Sequence, residues 1–215
     1  MDNKQLWQMP LVGWWYRVNK RRKMRRRQQR KHYEWKQNGC PLPLPDLLKH
    51  PILRDYAEQY GLQILVETGT FHGDTVEVLK KQFAKVYTVE LNQTLYEEAQ
   101  YRFKPDKHVE VILGDSGVVL GRIISRIDRP ALFWLDGHYS GGDTAIGECS
   151  TPIFKELTHV LQATEMQHVI LIDDARSFGV ADGYPEISEL KAFVHEKNDQ
   201  LGFEVKDDLI RITPS

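Results

Sequence analysis

An apolar run that ends on a carboxylate and breaks into a glycine loop is the feature that most constrains the fold of this chain. Residues 64–66 are apolar, Glu67 follows them, and Gly69 and Gly73 punctuate the next six residues before helix-forming residues begin at Asp74. A buried strand that delivers an acidic side chain into a glycine turn ahead of a helix is typical of nucleotide-cofactor sites in α/β proteins. Alone, the pattern is a weak signal.

Three further apolar runs end in the same way. The acidic residues at their ends are Glu90, Asp136 and the pair Asp173 and Asp174. In a parallel sheet the carboxyl ends of the strands lie along one edge, so we expect these acidic residues and Glu67 to converge on one crevice.

Strands and helices are predicted to alternate from residue 46 to the end of the chain. Predicted strands cover 63–67, 85–90, 109–113, 131–135, 168–172, 203–206 and 209–213, and predicted helices cover 47–60, 74–83, 93–103, 116–126, 151–163 and 185–197. This order predicts a doubly wound, mostly parallel Rossmann-like α/β sheet of about seven strands. Asp207 and Asp208 predict a hairpin turn, so we expect the last strand to be antiparallel.

Charge is divided unevenly along the chain. Residues 1–40 carry 12 Lys and Arg against two acidic residues, a net charge of +10, whereas the remaining residues carry a net charge of −11. Residues 17–36 are expected to form a helix, because they contain good helix formers and no Gly or Pro. Alternating prolines at 41, 43 and 45 then predict a stiff linker. We therefore expect a basic N-terminal arm and linker over residues 1–45 and one folded domain over residues 46–215.

Aromatic residues bracket the cations of the arm and suggest several partners. A basic and aromatic segment over residues 7–36 suits an anionic membrane surface. Nucleic acid is the less favoured partner for the same side chains. A solvated extension or one that forms a homo-oligomer is the third interpretation.

Cysteine content and hydropathy bear on the compartment. Cys40 and Cys149 are too few for a disulfide framework, which favours a reducing compartment. No apolar run approaches the ~20 residues that span a bilayer, and the charge order at the chain start does not match a secretion signal. We expect a cytoplasmic protein, with peripheral attachment to the inner membrane surface as an option.

The order of motifs over residues 60–213 resembles that of the class I S-adenosylmethionine-dependent methyltransferases. The loop is similar to the Glu-Thr-Gly loop of the macrocin-type sugar O-methyltransferases, with Phe71 in place of the family's middle glycine. The resemblance implies S-adenosylmethionine as cofactor. The loop residues it assigns to cofactor binding are Glu67, Thr68, Gly69, Thr70, Phe71, His72 and Gly73.

The resemblance implies further cofactor contacts at the next two strand ends and at Asp136. Glu90, followed by Leu91, matches the family's acidic residue for the two ribose hydroxyls. A carboxylate there can accept both hydroxyl protons and repels a phosphate, which argues against NADP. Asp115 and Ser116 match the contact to the adenine amino group, although Asp115 is also a common type of helix N-cap.

The ends of the fourth and fifth strands resemble the metal-dependent branch of the family, which includes the catechol and macrocin-type O-methyltransferases. In that branch Asp136, Asp173 and Asp174 would bind a divalent cation. Carboxylate oxygens suit Mg²⁺, which keeps water positions open for two substrate oxygens. A bound cation lowers the pKa of a hydroxyl and orients it toward the methyl group.

Candidate acceptor-side residues follow the same two strands. His138 is the favoured general base beside Asp136, and His72 is the second choice, because imidazole titrates near neutral pH. Tyr139, Arg176 and Tyr184 are candidates for substrate contact. The glycine-rich stretch 140–148 and the segment 178–185 are expected to shape acceptor specificity.

The resemblance implies an O-methyltransferase, Mg-assisted, that acts on a hydroxyl of a small molecule such as a sugar, glycan or natural product. One alternative is an RNA methyltransferase that uses the basic arm. It is less favoured because residues 136–139 lack the Asn/Asp-Pro-Pro-aromatic motif of amino-group methyltransferases. The other is a non-catalytic binding module with a methyltransferase-like fold.

Overall fold

The computed structural model describes residues 10–137, 151–162, 166–181 and 183–215, with only the backbone described for residues 10–14 and 16. The chain divides into two compact units, Met1–Lys49 and His50–Ser215. The boundary predicted from the sequence is four residues earlier.

The first unit contains one long helix, α1, which runs over Pro10–Gln37 and begins seven residues before the predicted start. Proline is well tolerated at the first position of a helix, where its missing N–H has no partner to lose. After the helix, Gly39 and Cys40 adopt positive φ angles of 80° and 60°. Such left-handed residues close helices by turning the chain away from the helix axis.

The second unit is built around a mixed seven-stranded sheet. The strands are β1 (Ile64–Thr68), β2 (Lys85–Glu90), β3 (Val109–Leu113), β4 (Leu132–Leu135), β5 (Val169–Ile172), β6 (Gly202–Lys206) and β7 (Leu209–Thr213). The helices are α2 (Asp46–Gln59, which begins before the boundary), α3 (Asp74–Leu79), α4 (Gln93–Phe103), α5 (Ser116–Ile124), α6 (Ile153–Gln162) and α7 (Ile187–Lys197), with 3₁₀ turns at Lys80–Gln82 and Ala175–Ser177.

The strand order in the sheet is β3-β2-β1-β4-β5-β7-β6. Strands β1 to β5 pair in parallel, whereas β7 is antiparallel to both β5 and β6. The predicted fold class and the antiparallel last strand are therefore confirmed. Asp207 and Asp208 have positive φ angles of 55° and 62°, the backbone that a tight two-residue hairpin requires.

Helices cover both faces of the sheet, which explains why its central strands read as continuous apolar runs. On one face, side chains of α5, α6 and α7 pack against alternate strand residues, including Leu120, Leu157, Leu190, Val66 and Phe133. On the other face, side chains of α2, α3 and α4 do the same, including Leu53, Leu79, Phe103, Leu65 and Trp134. This two-sided core fixes the strands and leaves their carboxyl ends to build a site.

Candidate cofactor and acceptor site

The carboxyl ends of β1 to β5 lie side by side along one edge of the sheet. Thr68 is in register with Val89 of β2 and with Leu135 of β4, and Leu135 is in register with Ile172 of β5. The acidic residues at the ends of these strands therefore occupy neighbouring positions, as the sequence predicts. From β3 across the sheet they are Asp115, Glu90, Glu67, Asp136 and Asp173.

The glycine loop after β1 makes a tight turn against the neighbouring strand ends. Gly69 has a φ of +84°, and a Cβ atom there would lie 2.5 Å from the carbonyl oxygen of Asp136. Gly73 has a φ of +71°, and its Cβ would lie 2.7 Å from the ring of Phe103. The N–H groups of Gly69 and Thr70 both donate to the carbonyl of Val89, each at 3.0 Å. Only glycine meets both the conformational and the steric demand at these two positions.

Glu90 is held at the end of β2 by backbone amides. Its Oε2 accepts from the N–H of Phe71 at 2.7 Å, and its Oε1 accepts from the N–H of Asn92 at 2.9 Å. An ionised carboxyl has about four acceptor sites, so each oxygen can accept another hydrogen bond. The two backbone hydrogen bonds fix the position of the Glu90 carboxyl, which is 6% exposed, and leave acceptor capacity on both of its oxygens. Leu91, the next residue, is half-buried.

Glu67 lies beneath the loop in a network of hydroxyl groups. It is 2% exposed and accepts from the hydroxyl of Thr88 at 2.6 Å, and Thr88 also contacts the hydroxyl of Thr70 at 2.5 Å. Burial raises the pKa of Glu67 to about 8, with the Thr88 hydrogen bond opposing the rise and the Glu90 charge adding to it. Glu67 is thus largely neutral at pH 7 and supports the loop from below.

Arg102 braces the same loop and was missed by the sequence analysis. This buried residue at the end of α4 donates to the carbonyl of His72 and, at 2.8 Å, to the carboxylate of Asp74. The His72 ring packs against Phe71, with 4.0 Å between ring centroids. Nothing near Arg102 in the sequence indicates this contact, which bridges about 30 residues of chain.

Asp115 is the N-cap residue of α5, the second of the two roles that the sequence analysis considered for it. Its Oδ1 accepts from the N–H of Gly117 at 2.8 Å, and Ser116 begins the helix as a buried residue. Capping uses one carboxylate oxygen. The cap therefore fixes the position of the carboxylate next to the Glu90 strand end, which is compatible with a second role in cofactor binding.

Glu156 of α6 is a second residue that the sequence analysis missed. It is fully buried, and Gly137 fits closely between it and Thr68: a Cβ on Gly137 would lie 3.0 Å from Thr68 Oγ1 and 3.5 Å from Glu156 Oε1. Burial raises the pKa of Glu156 to about 7, opposed by the hydroxyls of Ser116 and Thr68. A signal was available, because Glu156 occupies an apolar position of an amphipathic helix, between Ile153 and Leu157.

Ion pairs organise the segment after β5, where candidate contacts to the methyl acceptor lie. Asp174 has a left-handed backbone with a φ of +56°, and its carboxylate accepts from Arg176 at 2.9 Å. Arg176 also pairs with the buried carboxylate of Asp208 in the β6–β7 hairpin, which accepts from the Arg176 backbone N–H at 3.0 Å. Asp173 is 3% exposed and accepts from the N–H of Asp174 at 2.8 Å.

This pairing bears on the predicted metal ligands. Within the described ranges, no three His, Cys, Asp or Glu residues converge to hold a metal ion. Asp174 faces Arg176, a cation that already neutralises it. Asp136 and Asp173 remain on adjacent strand ends, where Asp173 N–H donates to Leu135 at 3.0 Å. One or two carboxylates plus water suffice for Mg²⁺, so these two residues fit such an ion.

Tyr184 lies close enough to Asp136 and Asp174 for their charges to shift the pKa of its phenol. Its pKa is raised to about 12 by burial and by the carboxylates of Asp174 and Asp136, so the phenol is neutral at physiological pH. Its ring packs edge-on against Phe178, with centroids 5.3 Å apart. The predicted base His138, the predicted substrate contact Tyr139 and the stretch 140–148 lie outside the described residues.

Comparison with solved structures supports the fold. The methyltransferase PaMTH1 of Podospora anserina, bound to S-adenosylhomocysteine, superposes with a TM-score of 0.53 at 14% identity, covering 86% of each chain. The O-methyltransferase TomG of Streptomyces achromogenes, in complex with S-adenosylmethionine, gives a TM-score of 0.55 at 15% identity over 84% of this chain and 86% of that one. The chain has the class I methyltransferase fold.

The structural comparisons do not distinguish between a small-molecule and an RNA methyl acceptor. A candidate rRNA methylase from Clostridium thermocellum matches equally well, with a TM-score of 0.55 at 13% identity over 81% of this chain and all of that one. No protein-family model matches the sequence, and no curated protein does. At such low identity the likeness establishes the methyltransferase fold, and the activity must be argued from the residues of the site.

Proposed function

We propose that this chain is an S-adenosylmethionine-dependent O-methyltransferase. The single observation that carries the proposal is Glu90, which backbone amides hold beside the glycine loop with acceptor capacity for the two ribose hydroxyls. Gly69 brings the loop into backbone contact with the Asp136 strand end, where the methionine part of the cofactor would lie. Asp115 and Ser116 would contact the adenine.

In the proposed reaction, the methyl group on the sulfonium of the cofactor faces the acceptor and is transferred to one of its oxygens. The acceptor oxygen attacks the methyl carbon in line with the departing sulfur, so one C–O bond forms as one C–S bond breaks. The hydroxyl proton must pass to a base, for which His138 remains the prediction. The neutral Tyr184 phenol at the rim of the acidic cluster can donate a hydrogen bond to an acceptor oxygen.

A divalent cation is part of the proposal in a restricted form. Asp136 and Asp173 would hold it, whereas Asp174 is paired with Arg176. When bound, the ion would lower the pKa of the acceptor hydroxyl and hold two acceptor oxygens. Vicinal hydroxyls of a sugar, glycan or natural product would suit such an ion, and Arg176, about one third exposed, could contact a polar group of the acceptor.

Titration calorimetry with S-adenosylhomocysteine tests the cofactor site. Glu90→Gln removes the charge that strengthens hydrogen bonds to the ribose, so we expect affinity to fall by roughly 10- to 100-fold. Glu110→Gln is the matched control, because Glu110 is a carboxylate of β3 that pairs with Arg126 and Lys85 instead. Equal affinity in the unchanged chain and in Glu90→Gln would contradict the assignment.

We further propose that the arm attaches the protein to an anionic membrane surface. Trp15 and Tyr33 are each 64% exposed and lie 18 residues apart on α1. At about 100° per residue they share one side of the helix, about 27 Å apart. The exposed Arg22 and Arg26 lie between them on that side. Aromatic rings at the headgroup level with arginines facing phosphates match an interfacial helix.

Such binding would be adsorption at the surface. Within the described part of the chain, no helix is long and apolar enough to span a bilayer. Sedimentation with vesicles of phosphatidylcholine plus one third phosphatidylglycerol should pellet the protein, and Arg22→Gln with Arg26→Gln should weaken partitioning roughly 30-fold. Lys23→Gln with Lys31→Gln removes equal charge from other sides. An equal loss of vesicle partitioning in the two double variants would contradict the proposal. Binding to RNA without binding to vesicles would also contradict it.

A further inference from the structure

Glu156 lies where the ends of β1 and β4 and the start of α5 meet. Its carboxyl is next to Thr68 at the end of β1 and Gly137 at the end of β4, and close to Ser116 at the start of α5. These are the elements that deliver the glycine loop, Asp136 and Asp115 to the site. A single buried side chain on α6 therefore touches the structural support of all three.

In the part of the chain that the structure describes, the polar side chains next to this carboxyl are the hydroxyls of Thr68 and Ser116. Among the described residues no cation contributes to its titration, and the one charge that does, Asp115, is of the same sign. Within the described ranges neither oxygen of Glu156 forms a hydrogen bond of standard geometry, and the Thr68 hydroxyl is likewise unsatisfied. A buried polar group in this situation costs stability, typically ~1–3 kcal/mol, so a purely structural role would favour an apolar residue there.

We propose that Glu156 is a positioning residue, which links the end of β1 to the start of α5 through the hydroxyls of Thr68 and Ser116 and thereby sets the width of the cofactor crevice. The inference rests on the proposed function. The acid form donates one hydrogen bond and accepts another, so a single carboxyl can bridge two hydroxyls. The ionised form can accept from both hydroxyls, and these contacts lower the pKa of Glu156 against the rise caused by burial, so the bridge can form in either protonation state.

Three substitutions separate positioning from mere packing. Glu156→Gln keeps both the shape and the ability to donate, Glu156→Leu keeps the approximate volume and removes the polar group, and Thr68→Val removes the partner hydroxyl without changing its shape. We expect Glu156→Leu to weaken binding of S-adenosylhomocysteine at least tenfold at pH 6. Glu156→Gln should stay within about threefold of the unchanged chain. Calorimetric affinity, with the melting temperature recorded alongside, gives the readout.

Two further results distinguish a link through Thr68 from independent effects. The loss in Thr68→Val combined with Glu156→Leu should be smaller than the sum of the single losses, because both break the same bridge. Thr68→Val alone should also weaken binding of S-adenosylhomocysteine, because it removes the hydroxyl at one end of the bridge. Thr68→Val carries the test if Glu156→Leu does not fold.

The outcomes separate this inference from the proposed function. Full additivity of the two losses, or no loss of affinity in Thr68→Val, overturns the positioning role. Equal binding of S-adenosylhomocysteine by the unchanged chain and all the variants overturns that role and leaves the cofactor site intact. If the unchanged chain binds no S-adenosylhomocysteine at any pH, both proposals fail.

Discussion

The two halves of the candidate site are constructed by different means. On the cofactor side, backbone conformation and backbone hydrogen bonds do the positioning, as at Gly69, Gly73 and Glu90. On the acceptor side, the order comes from ion pairs between side chains, centred on Arg176. Backbone constraints leave one arrangement, whereas the ion pair between the partly exposed side chains of Arg176 and Asp174 can exchange partners at modest cost. The comparison predicts a rigid cofactor half and an adaptable acceptor half.

The largest effect should come from Gly69→Ala, which tests the rigidity of the cofactor half. The new Cβ would lie 2.5 Å from a backbone oxygen in a left-handed conformation, so we expect a loss of about 3 kcal/mol or more in the free energy of unfolding. Gly61→Ala is the control, because Gly61 has a similar φ of +62° with nothing within 4 Å of its Cβ. That variant should lose only about 1–2 kcal/mol. Similar losses in urea denaturation would mean that the loop can shift.

The dependence of stability on pH tests the buried hydroxyl network under the loop. The pKa of Glu67 is about 8 when folded and 4.5 when unfolded, so the folded state binds more protons between these values. Its contribution is therefore fully present below pH 4.5 and is lost as pH rises to 8, at a slope of at most about 1.4 kcal/mol per pH unit. Glu67→Gln should remove this component, which is clearest between pH 7 and pH 8 because Glu156 adds a slope of the same sign up to about pH 7. If Glu67→Gln leaves the slope unchanged, a residue other than Glu67 is responsible for it.

A matched pair of aspartates tests the acceptor half with the smallest expected change in stability. Asp173→Asn removes a carboxylate that would face the cation, whereas Asp174→Asn removes one that faces Arg176. We expect the affinity for Mn²⁺, followed by its paramagnetic resonance signal, to fall more than tenfold in the first variant and by less than threefold in the second. The reverse ranking would show that Asp174 leaves Arg176 to bind the ion.

The sequence predicts the fold well because local patterns determine it. The runs that form β2, β3 and β7 were predicted at their observed bounds, and the positive φ angles of Asp207 and Asp208 fit the predicted hairpin. The edge of acidic residues was predictable for the same reason, since parallel strands end together. Predicted roles in binding cofactor, metal or substrate remain predictions.

What sequence reasoning missed are contacts that depend on side chains meeting across the fold. Arg102 reaches the His72 carbonyl from another helix, and Arg176 meets Asp208 from a hairpin 32 residues away. No local spacing encodes such pairs. From the sequence we assigned Asp174 to a metal site and did not predict its ion pair with Arg176. The presence of a cation nearby in the sequence does not show which carboxylate it contacts in the folded protein.

The hairpin between β6 and β7 has a consequence for how the protein is made. Asp208, which anchors Arg176, lies 118 residues after Glu90 and 93 residues after Asp115. A nascent chain exposes the glycine loop, Glu90 and Asp115 before that segment leaves the ribosome. The ion pair between Arg176 and Asp208 can form only after the hairpin has been synthesised. A chain that stops before Asp208 would therefore keep the glycine loop, Glu90 and Asp115 and lack the carboxylate that anchors Arg176.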